Sequence, residues 1–131
     1  MPKESILVCV TGQRNCRRLI LAGQNVARQR GAELLVLHAL GENAPLMGNP
    51  DEREALNYLY ECSAIAGAEM MVRRSGDPVQ TIADCARENS AIALVLGTPG
   101  VRGGSEKTIA SRLAEMLPAC HILEIGDQQD F

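Results

Sequence analysis

The sequence predicts an α/β fold of three layers, in which a parallel five-stranded sheet carries helices on both faces. Five short apolar runs alternate with four segments of helical period along the 131 residues. The first and fourth runs are almost continuously apolar, the pattern of strands buried on both sides. With 46% hydrophobic side chains, a chain of 131 residues suffices for one domain that buries roughly two-thirds of its surface, and leaves no room for a second.

Each element has a local reason. The first strand is Ile6 to Val10. A helix from about Cys16 to Arg30 places Leu19, Ala22, Val26 and Ala27 on one stripe, and Gly31 stops it as a C-terminal cap. The second strand is Glu33 to Ala39. After a connection of about ten residues, Asn49 is read as an N-cap, with Pro50 at the first helical position and Glu52 closing a capping box. The stripe Ala55, Leu56, Leu59, Cys62 and Ala66 follows. The third strand is Glu69 to Arg73. The third helix starts from Asp77 as N-cap, Pro78 and Gln80, with Val79, Ile82, Ala83 and Ala86 facing inward. Ile92 to Leu96 is the fourth strand. The last helix follows Ser105, carries Ile109, Ala110, Leu113, Met116 and Leu117, and ends before Pro118. Cys120 to Ile125 is the fifth strand. Alternation of this kind implies right-handed crossovers, two helices to a face, and a ligand crevice beyond the carboxyl ends of the strands.

Composition excludes several functions. Phe131, Tyr58 and Tyr60 are the three aromatic residues, too few for a platform that stacks bases, and the net charge of −3 lacks the basic excess that a duplex-binding face needs. Nucleic acid is therefore not expected as a partner. No run approaches about 18 apolar residues, and Met1-Pro2-Lys3-Glu4 opens no signal peptide, so the expectation is a cytoplasmic protein without a membrane partner. Cys9, Cys16, Cys62, Cys85 and Cys120 are odd in number, widely spread and without a Cys-x-x-Cys pair. They read as reduced thiols serving as small buried hydrophobes.

The segment Gly97-Thr98-Pro99-Gly100-Val101-Arg102-Gly103-Gly104-Ser105 joins a buried strand to a helix. Its backbone N–H groups suit an anion at a helix N-terminus, while four glycines equally serve turn geometry alone. It matches neither the Walker loop nor Gly-x-Gly-x-x-Gly. The sequence resembles the universal stress proteins, whose hallmark Gly-x-x-Gly, nine residues, Gly-Ser/Thr is read here as Gly97, Gly100, nine residues and Ala110-Ser111. Ile6-Leu7-Val8, Leu37-His38, Gly76-Asp77-Pro78 and Val95-Leu96-Gly97 extend the resemblance from Ser5 to Ile125. Together with the buried first and fourth strands, it implies a doubly wound sheet in the order 3-2-1-4-5, like that of the adenine-nucleotide hydrolases.

Carried over by position, the family's nucleotide site falls on Thr11, Ala39, Gly97, Gly100 and Ala110-Ser111, while Gly12 and the loop residues Arg102, Gly103, Gly104, Ser105 and Lys107 are further candidates for holding a nucleotide or anion. Thr11 replaces the family's Asp, Ala39 its Val and Ala110 its later glycine. The expectation is weak or absent ATP binding, no required cofactor, and a smaller anion at the loop. Arg14, Arg17, Arg18, Arg102 and Lys107 surround two helix starts at the crevice, where an anion would relieve their conflict with the helix dipoles. Glu106 and salt offer the bland alternative. His38 reads as a satisfied buried imidazole rather than a base, and His121 has no neighbour at metal-ligand spacing. No nucleophile-base pair, carboxylate pair or metal cluster announces an enzyme. The leading reading is a stress-response binding or signalling module. A nucleotide-processing enzyme, by ATP hydrolysis or adenylation, and a ligand-free dimeric scaffold are the alternatives. Both resemblance and edge physics imply a homodimer through His121, Ile122, Leu123, Glu124 and Ile125.

Overall fold

A computed structural model describes residues 3–10, 13–97 and 109–125. Strands β1 (Ser5–Cys9), β2 (Glu33–Leu40), β3 (Glu69–Arg74), β4 (Ala91–Gly97) and β5 (His121–Ile125) alternate with helices α1 (Gln13–Arg30), α2 (Glu52–Ile65), α3 (Pro78–Glu88) and α4 (Ile109–Met116). The sheet order is β3-β2-β1-β4-β5 and every pairing is parallel, as expected.

Successive residues of the central strands feed opposite layers. Ile6, Val8, Val36 and Val95 pack with Leu19, Ile20 and Leu59 of α1 and α2, whereas Leu7, Leu37 and Leu94 pack with Ile82 of α3 and Leu113 of α4. Each such aliphatic side chain contributes about 1.5–3 kcal/mol on burial, which is why the two continuous apolar runs take the middle of the sheet.

On α1 the buried row is Cys16, Leu19, Ile20, Gly23 and Ala27, while Ala22 and Val26 are half-buried at its margin. Gly23 is required by packing: a Cβ there would fall inside the radius of Val8 Cγ2. Gly31, at φ +63°, ends the helix in the left-handed region as expected, and Ala32 N–H donates to Ala27 O at 3.0 Å. Arg28 and Arg30 complement the dipole in the last turn.

Three expected helix details are corrected. The N-cap of α2 is Asp51, not Asn49: Asp51 Oδ1 accepts from Glu54 N–H at 3.2 Å. Asn49 Oδ1 instead accepts from Asp51 N–H at 2.9 Å, and this turn moves the helix start two residues along. Leu56, expected inside, is 42% exposed because the buried row runs through Ala55, Leu59 and Ser63, one position round the helix. Ile109, also expected inside, is 50% exposed, and Leu113 and Leu117 anchor α4 instead. The start of α3 is as read, with Asp77 Oδ1 accepting from Gln80 N–H at 3.2 Å and Pro78 in the first turn.

Candidate functional site

Chain direction creates the crevice. From the neighbouring strands β1 and β4 the chain leaves for opposite faces, α1 lying on one layer and α4 on the other. Their carboxyl ends therefore part at the switch point where ligands settle in doubly wound sheets. Val10 extends the β1 ladder by donating to Leu37 O at 2.9 Å, and β4 ends at the half-buried Gly97.

Beside this crevice, His38 on β2 is 2% exposed and fully engaged. Its Nε2 accepts from Met47 N–H at 2.8 Å, so Nδ1 carries the proton and donates to Val10 O at 2.8 Å. The imidazole thereby ties the end of β1 to a 3-10 turn, Leu46–Gly48, in which Met47 adopts φ 55°. A left-handed methionine is costly, and the hydrogen bond to His38 holds it there. Burial lowers the His38 pKa, opposed by the Val10 bond and reinforced by the charge of Arg74. Both ring nitrogens are committed to backbone, which agrees with a satisfied core histidine.

Arg74, at the end of β3, organises the same rim. Its Nη1 donates to the carbonyls of Gly41, Glu42 and Ala44 at 3.4, 3.3 and 2.7 Å, and Nη2 meets the Glu52 carboxylate at 2.8 Å. One guanidinium thus fastens the β2–α2 connection to both neighbouring elements. Sequence reasoning missed it. The available signal was a doubled arginine closing a strand, together with the connection after Leu40, where the chain leaves the sheet and its carbonyls lose ladder partners.

The sequence-derived site residues divide between the layers. Gly97 faces α1, where an added Cβ would stand 3.7 Å from Leu19 Cδ1. Ala39 and Ala110 are half-buried against the apolar cluster under α3 and α4, and Ser111 is exposed on α4. Thr11, Gly12, Gly100, Arg102, Gly103, Gly104, Ser105 and Lys107 lie outside the described residues, as does the side chain of Arg14. Arg17 is exposed and Arg18 half-buried on α1. Among the described residues, no group of three or more His, Cys, Asp or Glu side chains is placed to hold a metal ion. No described helix is long and apolar enough to cross a membrane.

Solved structures share this architecture. A universal stress protein from Archaeoglobus fulgidus is 25% identical over 95% of this chain and 94% of its own, with a TM-score of 0.61. The universal stress protein from Archaeoglobus fulgidus in complex with dAMP is 20% identical, covering 95% of this chain and 98% of its own, at 0.56. A universal stress protein in complex with cAMP is 22% identical over 98% of this chain and 100% of its own, at 0.57. Compared with curated proteins, the sequence finds no significant match. The model of the universal stress protein family matches residues 3–117, most of the chain and all of its sheet up to the last strand. With strand order, crevice and sequence match in agreement, the chain belongs to the universal stress protein family.

Proposed function

We propose that this chain is a dimeric stress-response binding module of the cytoplasm that takes an adenine nucleotide or a smaller anion between the carboxyl ends of β1 and β4. The observation that carries the reading is the switch point itself, where two buried strands end side by side and send the chain to opposite layers. Family members solved with cAMP and with dAMP support an adenine nucleotide. Thr11 supplies no carboxylate, and Ala110 brings a methyl group where the family has glycine, so ATP binds weakly or not at all and a smaller anion is preferred at the loop after Gly97. Arg102 and Lys107 are the cations proposed to hold it.

Calorimetry with ATP, AMP, cAMP and inorganic phosphate, after native mass spectrometry of freshly purified protein, tests this. AMP-sized or smaller ligands should bind, and R102A with K107A should weaken them, less so at high salt. Submicromolar ATP affinity would contradict the proposal. Turnover of ATP would favour the enzymatic alternative, and silence with every ligand would leave a scaffold.

The proposed dimer joins copies through β5. The sheet has two outer strands, and β3 is guarded by charge: Arg73 pairs with Glu88 at 3.3 Å and Arg74 with Glu52 at 2.8 Å. In contrast β5 presents half-buried Ile122, Leu123 and Ile125, with His121 and Glu124 its exposed residues. Charged edges resist pairing and apolar ones invite it. Antiparallel pairing of β5 with its copy about a two-fold axis closes the assembly. Sedimentation should give a dimer at micromolar concentration that I125K shifts toward monomer; a monomeric wild type would refute it.

A further inference from the structure

At the end of the sheet opposite the crevice, a cavity of about 610 Å³ opens to solvent where β1, β2 and β3 begin and α1 and α2 end. That volume falls in the range of about 300–1,000 Å³ usual for small-molecule sites. Its lining is apolar in part, from the buried Leu34 and Leu35 together with Ala27 and Ala66. Both helices give way to glycines in the left-handed region at its rim, Gly31 at φ +63° and Gly67 at φ +75°, and a Cβ added at either would meet nothing within 4 Å. Gln24 Nε2 donates to Ala66 O at 3.1 Å, which fastens α1 to the end of α2 and fixes that wall.

Sheet order distributes charge across the cavity. Lys3 leads into β1 and Arg28 belongs to α1, which packs on β1, whereas Glu69 opens β3 two strands away, about 10 Å across the sheet. Glu33 opens β2 between them. In the register of β2 with β3, Leu35 stands opposite Glu69, so Glu33, two residues earlier, shares a face with Glu69. The last turn of α1 carries Arg28 and Arg30, but that of α2 carries no basic residue, so its dipole adds negative potential on the Glu69 side. Lys3, Arg28, Glu33 and Glu69 are all exposed, and among the described residues none of them is in an ion pair.

We propose that this cavity binds a zwitterion whose ammonium and carboxylate stand at opposite ends of a short aliphatic chain. The carboxylate meets Arg28 and Lys3, the ammonium meets Glu69 and Glu33 beside the end of α2, and the chain between them lies along Leu34 and Leu35. A simple anion would engage only the cations, and a simple amine only the carboxylates. An α-amino acid carries both charges on one carbon and cannot serve two walls that are two strands apart. The site lies at the other end of the sheet from the crevice, so it stands or falls separately from the proposed nucleotide site.

Isothermal titration of the full chain with ε-aminocaproate tests this, beside caproate, hexylamine and norleucine, which keep only the carboxylate, only the amine, or both charges on one carbon. ε-Aminocaproate should bind at one site per chain and each of the other three about tenfold more weakly or worse, the loss of one charge-assisted contact. R28Q and E69Q should each weaken ε-aminocaproate about tenfold. Both alter exposed, unpaired side chains, and circular dichroism checks that each variant is folded. Added AMP should leave the affinity unchanged. Absence of saturable binding, any of the three comparison compounds binding as tightly as ε-aminocaproate, displacement by AMP, or either folded variant binding like wild type would each overturn the proposal.

Discussion

Replacing His38 by Leu probes the polar link at the rim of the crevice, and the structure sets its cost. The substitution keeps an apolar body of similar size but strands the Val10 carbonyl and the Met47 N–H, in residues that are 1% and 3% exposed. A buried backbone group without a partner costs about 1–3 kcal/mol, so the variant should lose about 2–6 kcal/mol. That is a large share of the about 5–15 kcal/mol typical of a domain.

The same residue makes stability depend on pH. Burial depresses the folded pKa of His38 below its ordinary 6.5. Its contribution is then complete above the unfolded value and is lost as pH falls from there through the folded value, because the unfolded chain binds the proton first. Protonating the folded imidazole would set a second N–H against that of Met47. The slope has a ceiling of about 1.4 kcal/mol per pH unit for one proton. Urea unfolding at about pH 7.5 and about pH 5.5, on wild type and H38L, reads both effects. A destabilisation below about 1 kcal/mol, or equal pH slopes in the two proteins, would refute the reasoning.

Three further changes isolate single contacts. G23A drives a methyl group into Val8 and should cost about 1–3 kcal/mol in a thermal melt followed by circular dichroism. S63A should stabilise by about 1 kcal/mol in urea, because Ser63 Oγ is buried without a hydrogen-bond partner among the described residues and alanine is the better helix former. R74K keeps the charge but loses the fork that reaches three carbonyls and Glu52, so exchange of the Ala44 amide, which donates to Gly41 O at 3.3 Å, should quicken about tenfold, equivalent to about 1.4 kcal/mol of local opening.

The fold was legible because its signals are periodic. The apolar runs around Leu7 and Leu94 needed no partner to declare themselves buried, and their boundaries moved by a residue at most. Caps were legible where they close locally. Asp77-Pro78-Val79-Gln80 offers one arrangement, whereas Asn49, Pro50 and Asp51 offer two, and the turn made by Asn49 decides between them. The burial of His38 could be read from alternation, but its donor could not, since Met47 reaches it only through a left-handed backbone. Arg74 was illegible for a related reason: its contacts depend on elements that meet only after the sheet has ordered itself.

Gly97 separates fold from site more cleanly than any other described candidate. Glycine is required where a side chain would collide or where φ is positive. Neither holds at Gly97. An added Cβ would make ordinary contact with Leu19 at 3.7 Å, and among the described residues the positive-φ glycines are Gly31 and Gly67. Gly23 shows the opposite case, with Val8 in the way. A methyl group at position 97 would stand on the α1 side of the strand end, against Leu19, at the wall along which the proposed ligand approaches the backbone. G97A should unfold within about 0.5 kcal/mol of wild type, as substitutions without a packing or backbone penalty do. Its affinity for AMP or phosphate should fall about tenfold, a loss of about 1.4 kcal/mol. If G97A binds like wild type, the strand end is not where the ligand sits. If instead it is destabilised as much as G23A, the glycine serves the turn after all.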